Sequence, residues 1–324
     1  MADSHPSLQT LQLGTSDADI EQALAIWRRG GRVAIPTETV YGLAADASNA
    51  EAVNGIFAAK QRPANHPLIV HIGSGAQLRQ WASEVPAMAQ QLADAFWPGP
   101  LTLLLPKAES VPLEVTGGLP TVGIRVPSHP LLSKLLQAFG GGVAAPSANL
   151  YKSLSPTSAA QVLAGMDGRI EAVMDGGPCE WGLESTIVDV SGPQVRILRA
   201  GPITQAQIEQ VLGQPVQMPQ QHTAVVPGNV KAHYQPRTPL RLVTAEAQPQ
   251  DDIGVLAHDG QWLQQFASQP QRLLPADAVG YGRELYAALH EMDQHGCREL
   301  WLLTPPQQPD WLAIHDRLKR ATAQ

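Results

Sequence analysis

Apolar and polar positions alternate between two periods along the first two hundred residues. In SDADIEQALAIWRRGG, Ile20, Leu24 and Trp27 recur at helical spacing, Ser16 is a candidate N-cap, and two glycines supply a stop. The short apolar run RVAI then predicts a buried strand. The polar stretch that follows, PTETVYGL, is interpreted as a strand-to-helix junction.

The same alternation continues to about residue 211. A second helix begins at a candidate cap, Asn49, and ends near Lys60, ahead of Arg62 and Pro63. Further strands are predicted at LIVHI, LTLLL, VGIRV, VAAP, AVMD, TIVDV and VRILR, and further helices at PAMAQQLADAF, PLLSKLLQAF, SAAQVLAG and TQAQIEQVLG. Strands outnumber the helices between them, so we expect a mixed α/β fold whose sheet is not purely parallel.

Both periods lapse over residues 214–239, which are rich in Pro and Gln and are predicted to be a linker. Beyond it, DDIGVLAHD, QRLLPA, GRELYAALHEMDQHG, CRELWLLTPP and DWLAIHDRLKRATA predict strand, strand, helix, strand and helix. We therefore expect a first domain over residues 1–213 and a small, Rossmann-like, doubly wound α/β domain over residues 240–324.

Composition narrows the classes of function. The 324 residues are 44% hydrophobic and 16% charged, which is ordinary for a globular protein. No apolar run reaches the length of a membrane span and the first residues lack the features of a secretory signal, so a cytoplasmic protein without membrane contact is expected. The formal net charge of −7 disfavours a wide nucleic-acid groove. Cys179 and Cys297 are isolated and predict neither a zinc site nor a disulfide framework.

Polar clusters follow several predicted strands and helices, where α/β proteins commonly place their sites. Lys60 and Arg62 taken alone are more typical of a solvated helix end. Arg125 is different, because it lies in the apolar run GIRVP and a buried guanidinium needs an anion. That anion could be a ligand or, in a structural ion pair, Glu38 or Glu184.

The clusters together favour one kind of ligand set. Lysine, several arginines, Ser147 and Asn149 combine a point cation, planar forks and neutral donors, which suit a polyphosphate and a carboxylate. The sequence contains no GxxxxGK[ST], GxGxxG or GxSxG motif and no strong metal-ligand spacing. A P-loop ATPase, a classical dinucleotide binder and a serine hydrolase are therefore disfavoured.

The ordered motifs resemble those of the YrdC-like threonylcarbamoyl-AMP synthases. The likeness spans about residues 17–211 and rests on PTETVYGL, Lys60-x-Arg62, HPLIVHI, WPGPLTLLL, GIRVP, APSAN, SPT, GLESTIVDV and ILRAGP. The linker stretch VVPGNVKAHYQP resembles the SPGM…HYAP signature of the long, two-domain form, with Asn229 and Gln235 at the places of Met and Ala. The resemblance implies a YrdC-like twisted mixed sheet.

The resemblance also implies a reaction and a site. L-threonine, bicarbonate and ATP would give threonylcarbamoyl-AMP and pyrophosphate, and downstream proteins would transfer the threonylcarbamoyl group to an adenosine beside the tRNA anticodon. Mg²⁺ would accompany ATP, without a metal site made by the protein alone. The implied catalytic residues are Lys60, Arg62, Ser147 and Asn149; those for L-threonine are Thr39, His71, Arg125, Ala145 and Ser185; those for ATP are Arg62, His66, Thr121, Ser147, Ser155, Arg199 and Tyr234.

Other interpretations remain open on the sequence. One is a non-catalytic protein of the same fold that binds double-stranded RNA or tRNA, which the acidic net charge disfavours. A hydrogenase-maturation type of carbamoyl-adenylate domain would bring zinc-finger cysteines that this chain lacks. A third is a fold that has lost its activity, which the intact motif set opposes. His233 and Tyr234 are expected to lie in a lid that excludes water, and the C-terminal domain is expected to stabilise the protein or contact a partner.

Overall fold

The computed structural model describes residues 8–219 and 224–323. Residues 1–7 of the predicted first domain, residues 220–223 of the predicted linker and residue 324 lie outside the described residues. None of the helices in the described ranges is both long and apolar enough to cross a membrane.

Helices and strands alternate through both parts of the chain. The helices are α1 Asp17–Arg28, α2 Ala50–Lys60, α3 Leu78–Trp81, α4 Ala87–Phe96, α5 Leu113–Thr116, α6 Pro130–Phe139, α7 Ala159–Met166, α8 Gln205–Leu212, α9 Gly260–Leu263, α10 Ala278–Met292 and α11 Leu312–Ala321. The strands are β1 Leu11–Leu13, β2 Val33–Ile35, β3 Gly42–Asp46, β4 Ile69–His71, β5 Leu101–Pro106, β6 Thr121–Arg125, β7 Val143–Ala144, β8 Ala172–Met174, β9 Thr186–Asp189, β10 Arg196–Arg199, β11 Leu240–Val243, β12 Ile253–Ala257, β13 Gln271–Leu273 and β14 Glu299–Leu303.

The predicted caps and elements are largely confirmed. Ser16 caps α1 in a reciprocal capping box with Asp19, and the Asn49 side chain accepts from the first turn of α2. The interpretation of PTETVYGL as a strand-to-helix junction is wrong, because the chain turns back into β3, which pairs antiparallel with β2. Strands β1, β3 and β11 and the short helices α3, α5 and α9 were not predicted from the sequence, since they are too brief to show a period.

The first domain is built on one mixed sheet, as predicted. Its strand order is β1-β8-β2-β3-β7-β4-β6-β5-β9-β10. Strands β4 and β6 run parallel at its centre, and Ile69 and His71 lie beside Gly123 and Arg125 in register. Side chains alternate between the faces of a strand, so these four share one face.

The two faces of this sheet have different covers. On one face Val70, Val122 and Ile124 join the large hydrophobic core beneath the helices. On the other, Ile69, Leu104, Ile187 and Leu198 pack against Val226 of the linker. The polar residues at the ends of β4 and β6 are therefore covered by the linker rather than by a helix layer.

The C-terminal domain has a parallel sheet in the order β11-β14-β12-β13. Leu300 and Leu302 belong to a core with residues of α10 and α11, whereas Trp301 packs on the opposite face with Trp262 and Phe266. Cover on both faces agrees with the predicted doubly wound domain. The described part of residues 214–239 contains no helix or strand, and the boundaries at 213 and 239 stay predictions.

The segment Glu180–Ser185 of the first domain packs directly on α10. Arg283 Nε donates to the carbonyl oxygen of Glu180 at 2.7 Å, and Leu183 joins the hydrophobic core of the C-terminal domain. Gly182 has φ +71° and lies so close to Arg283 that a Cβ would overlap its backbone oxygen. The close approach of the two domains therefore requires glycine at this position.

We expect Gly182→Ala to lower the free energy of unfolding by about 2–4 kcal/mol, since it combines a left-handed backbone with overlap against backbone atoms. Denaturant titration followed by circular dichroism measures the change. Gly192→Ala is the matched control, because a Cβ at Gly192 meets no atom within 4 Å. Equal stability of the two variants would contradict the close domain contact.

Candidate active site

A cavity lies between the linker and the polar face of the first sheet. It encloses about 570 Å³ of atom-free space, part of which is open to solvent. The predicted site residues that line it are Thr39, Arg62, His71, Arg125, Ala145, Ser147, Ser185, Arg199 and Tyr234. The fold thus brings together residues that are spread over nearly two hundred positions of the chain.

The turn between β2 and β3 presents a hydroxyl to this cavity and holds a carboxylate next to Arg125. Thr37 Oγ1 accepts from the backbone N–H groups of Thr39 and Val40 and donates to the carbonyl oxygen of Val40 at 2.6 Å. These local bonds fix the turn. The Glu38 carboxylate and the Thr39 hydroxyl consequently face Arg125.

Arg125 is buried at the end of β6 and is 3% exposed. Its Nη2 forms an ion pair with Glu38, and its Nη1 donates to Thr39 Oγ1 at 3.0 Å. The predicted structural partner Glu38 is therefore present. Nε of Arg125 is buried without a hydrogen-bond partner, which leaves one donor for a further acceptor.

His71 lies beside Arg125 in register, on the neighbouring strand. Burial, with the Arg125 charge, lowers the pKa of His71 to about 3, so the ring is neutral near pH 7. Its Nδ1 lies 3.2 Å from the carbonyl oxygen of Ile69. A proton on Nδ1 satisfies that carbonyl and leaves Nε2 as an acceptor.

Arg199 joins the strand wall of the cavity to the linker. Its Nε and Nη2 donate to the backbone oxygen and Oγ of Ser185 at 3.0 and 3.1 Å. Its Nη1 donates to the carbonyl oxygen of Pro227 at 3.0 Å. Ser185 Oγ also shares a hydrogen bond of 2.8 Å with Thr102 Oγ1. A single guanidinium thus positions both Ser185 and the cover of the cavity.

Lys60 and Asn149 lie behind Ser147 rather than along the cavity wall. Lys60 Nζ donates to the carbonyl oxygens of Ser147 and Asn149, the latter at 2.6 Å. Burial, with Arg62 nearby, holds the pKa of the Lys60 ammonium well below its usual value. The two hydrogen bonds from Lys60 Nζ fix the loop that presents Ser147.

Arg62 and His66 flank a second, smaller opening beneath the linker. Arg62 Nη2 donates to the carbonyl oxygen of Pro67 at 3.1 Å, while its Nε is buried without a partner. Burial lowers the pKa of Arg62 to about 10, so it stays charged near neutral pH. The His66 ring contacts Tyr151, whose ring in turn contacts His233. This opening shares Arg62 and His233 with the main cavity.

Besides His66, two further predicted ATP residues lie outside the main cavity. Ser155 is fully buried, and its hydroxyl donates to Glu184 Oε1 at 2.6 Å. Thr121, at the start of β6, lines a separate depression with Val225 and Val226. Neither hydroxyl is among the groups that line the main cavity in this arrangement.

Tyr234 closes the cavity from the linker side. Its backbone has φ +59°, and its ring stacks on Tyr286 at 5.8 Å and lies beneath the Arg317 guanidinium at 5.4 Å. The neighbouring His233 is also buried, and burial lowers the pKa of its imidazole to about 3. Gly228 lies so close to Tyr234 that a Cβ there would overlap the phenol oxygen.

Three residues of the site region were missed from the sequence. The sequence indicates Glu184 only as a partner for Arg125, yet Glu184 lines the cavity and pairs with Arg317. Arg317 and Tyr286 come from the C-terminal domain. A signal for Arg317 existed, because it falls on the apolar face of α11 that also carries Ile314 and Leu318.

The described residues contain no group of three or more His, Cys, Asp and Glu side chains arranged to hold a metal ion. Glu184, which lines the cavity, and Glu38, which lies behind Arg125, are each paired with an arginine. The donors along the cavity are consequently suited to anions.

Two family models match the chain. The Sua5/YciO/YrdC model, described as "Telomere recombination", matches residues 25–201, and the model described as "Threonylcarbamoyl-AMP synthase, C-terminal domain" matches residues 203–323. The threonylcarbamoyl-AMP synthase of Bacillus subtilis is 39% identical over 96% of this chain and 95% of its own length. The synthase of Pyrococcus abyssi is 38% identical over 94% of both chains.

Comparison with solved structures points to the same family. The crystal structure of P. abyssi Sua5 complexed with L-threonine matches with a TM-score of 0.88 and 35% identity, covering 97% of each chain. E. coli YciO matches 60% of this chain with a TM-score of 0.53 and 23% identity, and it shares the fold of the first domain. The predicted family and fold class are confirmed.

We expect Gly228→Ala to displace Tyr234 and loosen the linker, because the added methyl group overlaps the phenol oxygen. Trypsin cleavage after the exposed Lys231 should become about tenfold faster, since proteolysis follows the population of locally opened states.

The control is Gly296→Ala, which imposes a similar positive φ where a Cβ meets no atom within 4 Å. Linker cleavage that is equally fast in both variants would contradict the contact between Gly228 and Tyr234.

Proposed function

This chain belongs to the Sua5/YciO/YrdC family, and we propose that it is an L-threonylcarbamoyladenylate synthase. It joins L-threonine, bicarbonate and ATP into threonylcarbamoyl-AMP and releases pyrophosphate. The observation that carries the proposal is that one covered cavity contains two groups of side chains. The first group is Arg125, Thr39 and His71. The second is Arg62, Arg199 and Ser147. Such a set suits a small amino acid beside a polyphosphate.

The chemistry needs no enzyme nucleophile. The threonine amine takes up bicarbonate carbon to give a carbamate with loss of water. A carbamate oxygen then attacks the α-phosphorus of ATP in line, and the bond to the pyrophosphate oxygen breaks. Catalysis consists of positioning the reactants and stabilising charge on the phosphates.

L-threonine is assigned to the Arg125 side of the cavity. The free Nε of Arg125 offers a donor to the amino-acid carboxylate, and Thr39, Ser185 and neutral His71 offer hydroxyl and imidazole groups to the amine and side chain. Ala145 contributes backbone contacts. A related protein, P. abyssi Sua5, has been crystallised with L-threonine, which supports a threonine subsite in this fold.

ATP is assigned to the Arg62 and Arg199 side. Arg62 Nε is free, and Arg199 stands beside Ser185 and Pro227, so both cations lie at the junction of the sheet face and the linker. Ser147 lines the wall that Lys60 and Asn149 hold from behind. His66, Thr121, Ser155 and Tyr234 complete the proposed ATP set.

Mg²⁺ is proposed to enter with ATP. Because Glu38 and Glu184 are both paired with arginines, the cavity offers no spare carboxylate, and the phosphate oxygens would hold the ion. Bound Mg²⁺ would neutralise charge on the β- and γ-phosphates. The work of Arg62 and Arg199 is to orient the triphosphate, and the work of the linker is to exclude water from the adenylate.

The product is a labile mixed anhydride, so a transfer system must consume it. We propose that downstream proteins pass the threonylcarbamoyl group to the adenosine beside the tRNA anticodon, in the cytoplasm. Contact of this protein with tRNA is a separate proposal, which the transfer step would explain.

The first test is pyrophosphate release from the purified protein with Mg²⁺ and ATP, omitting L-threonine and bicarbonate in turn. Release is expected only when both are present, with a threonylcarbamoyl-adenylate mass in the product. Pyrophosphate release that does not depend on threonine, or no release at all, would favour the RNA-binding alternative. A titration with tRNA would then measure that binding.

Arg125→Ala should reduce threonine-dependent release by about a hundredfold or more, since a lost charge-assisted donor in a dry site commonly has that effect. Arg32→Ala is the matched control. Arg32 also forms an ion pair, with Glu171 at a distance of 2.5 Å, but it does not line the cavity. Circular dichroism checks that both variants fold. Activity of Arg125→Ala equal to that of the control would remove Arg125 from the site.

A further inference from the structure

Arg317 is a residue of the C-terminal domain whose side chain ends against Glu184, behind the wall of the first domain's cavity. It is 1% exposed although it lies on α11. Its Nε donates to Glu184 Oε2 at 2.9 Å, and its Nη1 donates to the carbonyl oxygen of Ala200 at 2.9 Å and to Asp316 Oδ2 at 3.0 Å. One guanidinium therefore holds the segments that precede β9 and follow β10.

Glu184 is the link between Arg317 and the cavity. It lines the cavity and is followed directly by Ser185. Its Oε1 accepts from Ser155 Oγ at 2.6 Å, and its Oε2 also accepts from Tyr286 OH at 3.1 Å. Burial raises the pKa of Glu184, but the charges of Arg317 and Arg199 and the hydrogen bonds outweigh burial and lower it, so the carboxylate is ionised.

The same guanidinium also contacts the lid. It lies 5.4 Å from the centre of the Tyr234 ring, on which Tyr286 stacks. The neighbouring Arg320 donates from Nη1 to the carbonyl oxygen of Val230 at 2.8 Å. Helix α11 thus contacts the linker and the cavity wall at once.

We propose that Arg317 is a positioning residue for the adenylate-forming reaction. It neutralises and orients Glu184, and through Glu184 it fixes Ser185 and Ser155, so that the phosphates of ATP can occupy the adjoining cavity. The C-terminal domain thereby completes the active site of the first domain. This inference rests on the proposed function.

Loss of the Arg317 charge should affect the binding of ATP more than the binding of threonine. Without Arg317 the Glu184 carboxylate would remain in a dry wall with Arg199 as the remaining arginine whose charge acts on it, and Arg199 would be drawn away from Ser185 and the nucleotide. An unpaired buried carboxylate repels a polyphosphate strongly, because low dielectric amplifies like-charge repulsion. Zwitterionic threonine, which carries no net charge, is affected far less.

The test measures equilibrium dissociation constants for Mg·ATP and for L-threonine together with steady-state pyrophosphate release. The variants are Arg317→Met, Arg317→Lys, and Arg317→Met combined with Glu184→Gln. Arg272→Met is the matched control, since it removes ion pairs with Glu284 and Glu291 on the surface of the same domain.

Arg317→Met is expected to weaken Mg·ATP binding about tenfold or more while threonine binding stays within about threefold, because the repulsion acts on net charge. Adding Glu184→Gln should restore Mg·ATP binding to within about threefold of the original protein, since it removes the unpaired charge. Arg317→Lys should give an Mg·ATP affinity between those of Arg317→Met and the original protein, because an ammonium keeps the charge but not the several hydrogen bonds of a guanidinium.

A purely structural role for Arg317 gives a different pattern. It would lower thermal stability without separating ATP from threonine, and the double variant would be no better than Arg317→Met. Either that pattern or an Arg317→Met variant that binds Mg·ATP like Arg272→Met would overturn the inference. If Arg317→Met does not fold, the double variant and Arg317→Lys decide by the same comparison.

The outcomes also separate this inference from the proposed function. If the protein binds Mg·ATP but does not release pyrophosphate with threonine and bicarbonate, the proposed function is wrong, while the comparison of Mg·ATP binding among the variants still tests the role of Arg317. Wild-type protein that binds no Mg·ATP would overturn both.

Discussion

A buried cation must replace its water with protein acceptors, and the cavity of this protein is surrounded by such cations. Lys60, Arg125, Arg199 and Arg317 are 2%, 3%, 7% and 1% exposed. Removing a charge from water is costly unless partners are supplied, and here many of the partners are backbone carbonyl oxygens. Carbonyls satisfy the donors of Arg199 without cancelling its charge, whereas Arg125 and Arg317 are paired with Glu38 and Glu184. The cavity thus gathers several buried cations inside a chain whose formal net charge is −7.

This requirement also explains why loops rather than regular elements form much of the cavity wall. The carbonyl oxygens of Ser147, Ser185, Ala200 and Pro227 are available because they lie outside helices and strands, where backbone acceptors are already used. Each buried cation therefore fixes the path of a loop. Conversely, each loop is held only as long as its cation stays in place.

Sequence patterns predicted the elements and most of the cavity residues because those signals are local. The caps Ser16 and Asn49, the buried run around Arg125 and the ordered motifs are each contained in a short stretch. The pairing of Glu184 with Arg317 could not be predicted this way, since it joins positions 133 residues apart across two domains. The position of the Ser155 hydroxyl could not be predicted for the same reason, because it donates to Glu184 instead of lining the cavity.

Arg199 holds Ser185 with two of its donors and the linker carbonyl of Pro227 with a third. Departure of the linker would free that third donor and release the guanidinium from one side. A state that admits substrates by opening the linker would therefore differ in its hydrogen bonds from the state that surrounds them. Substrate entry and readiness to react would then be mutually exclusive, so bulk water that reached the cavity would meet a site that is not yet assembled.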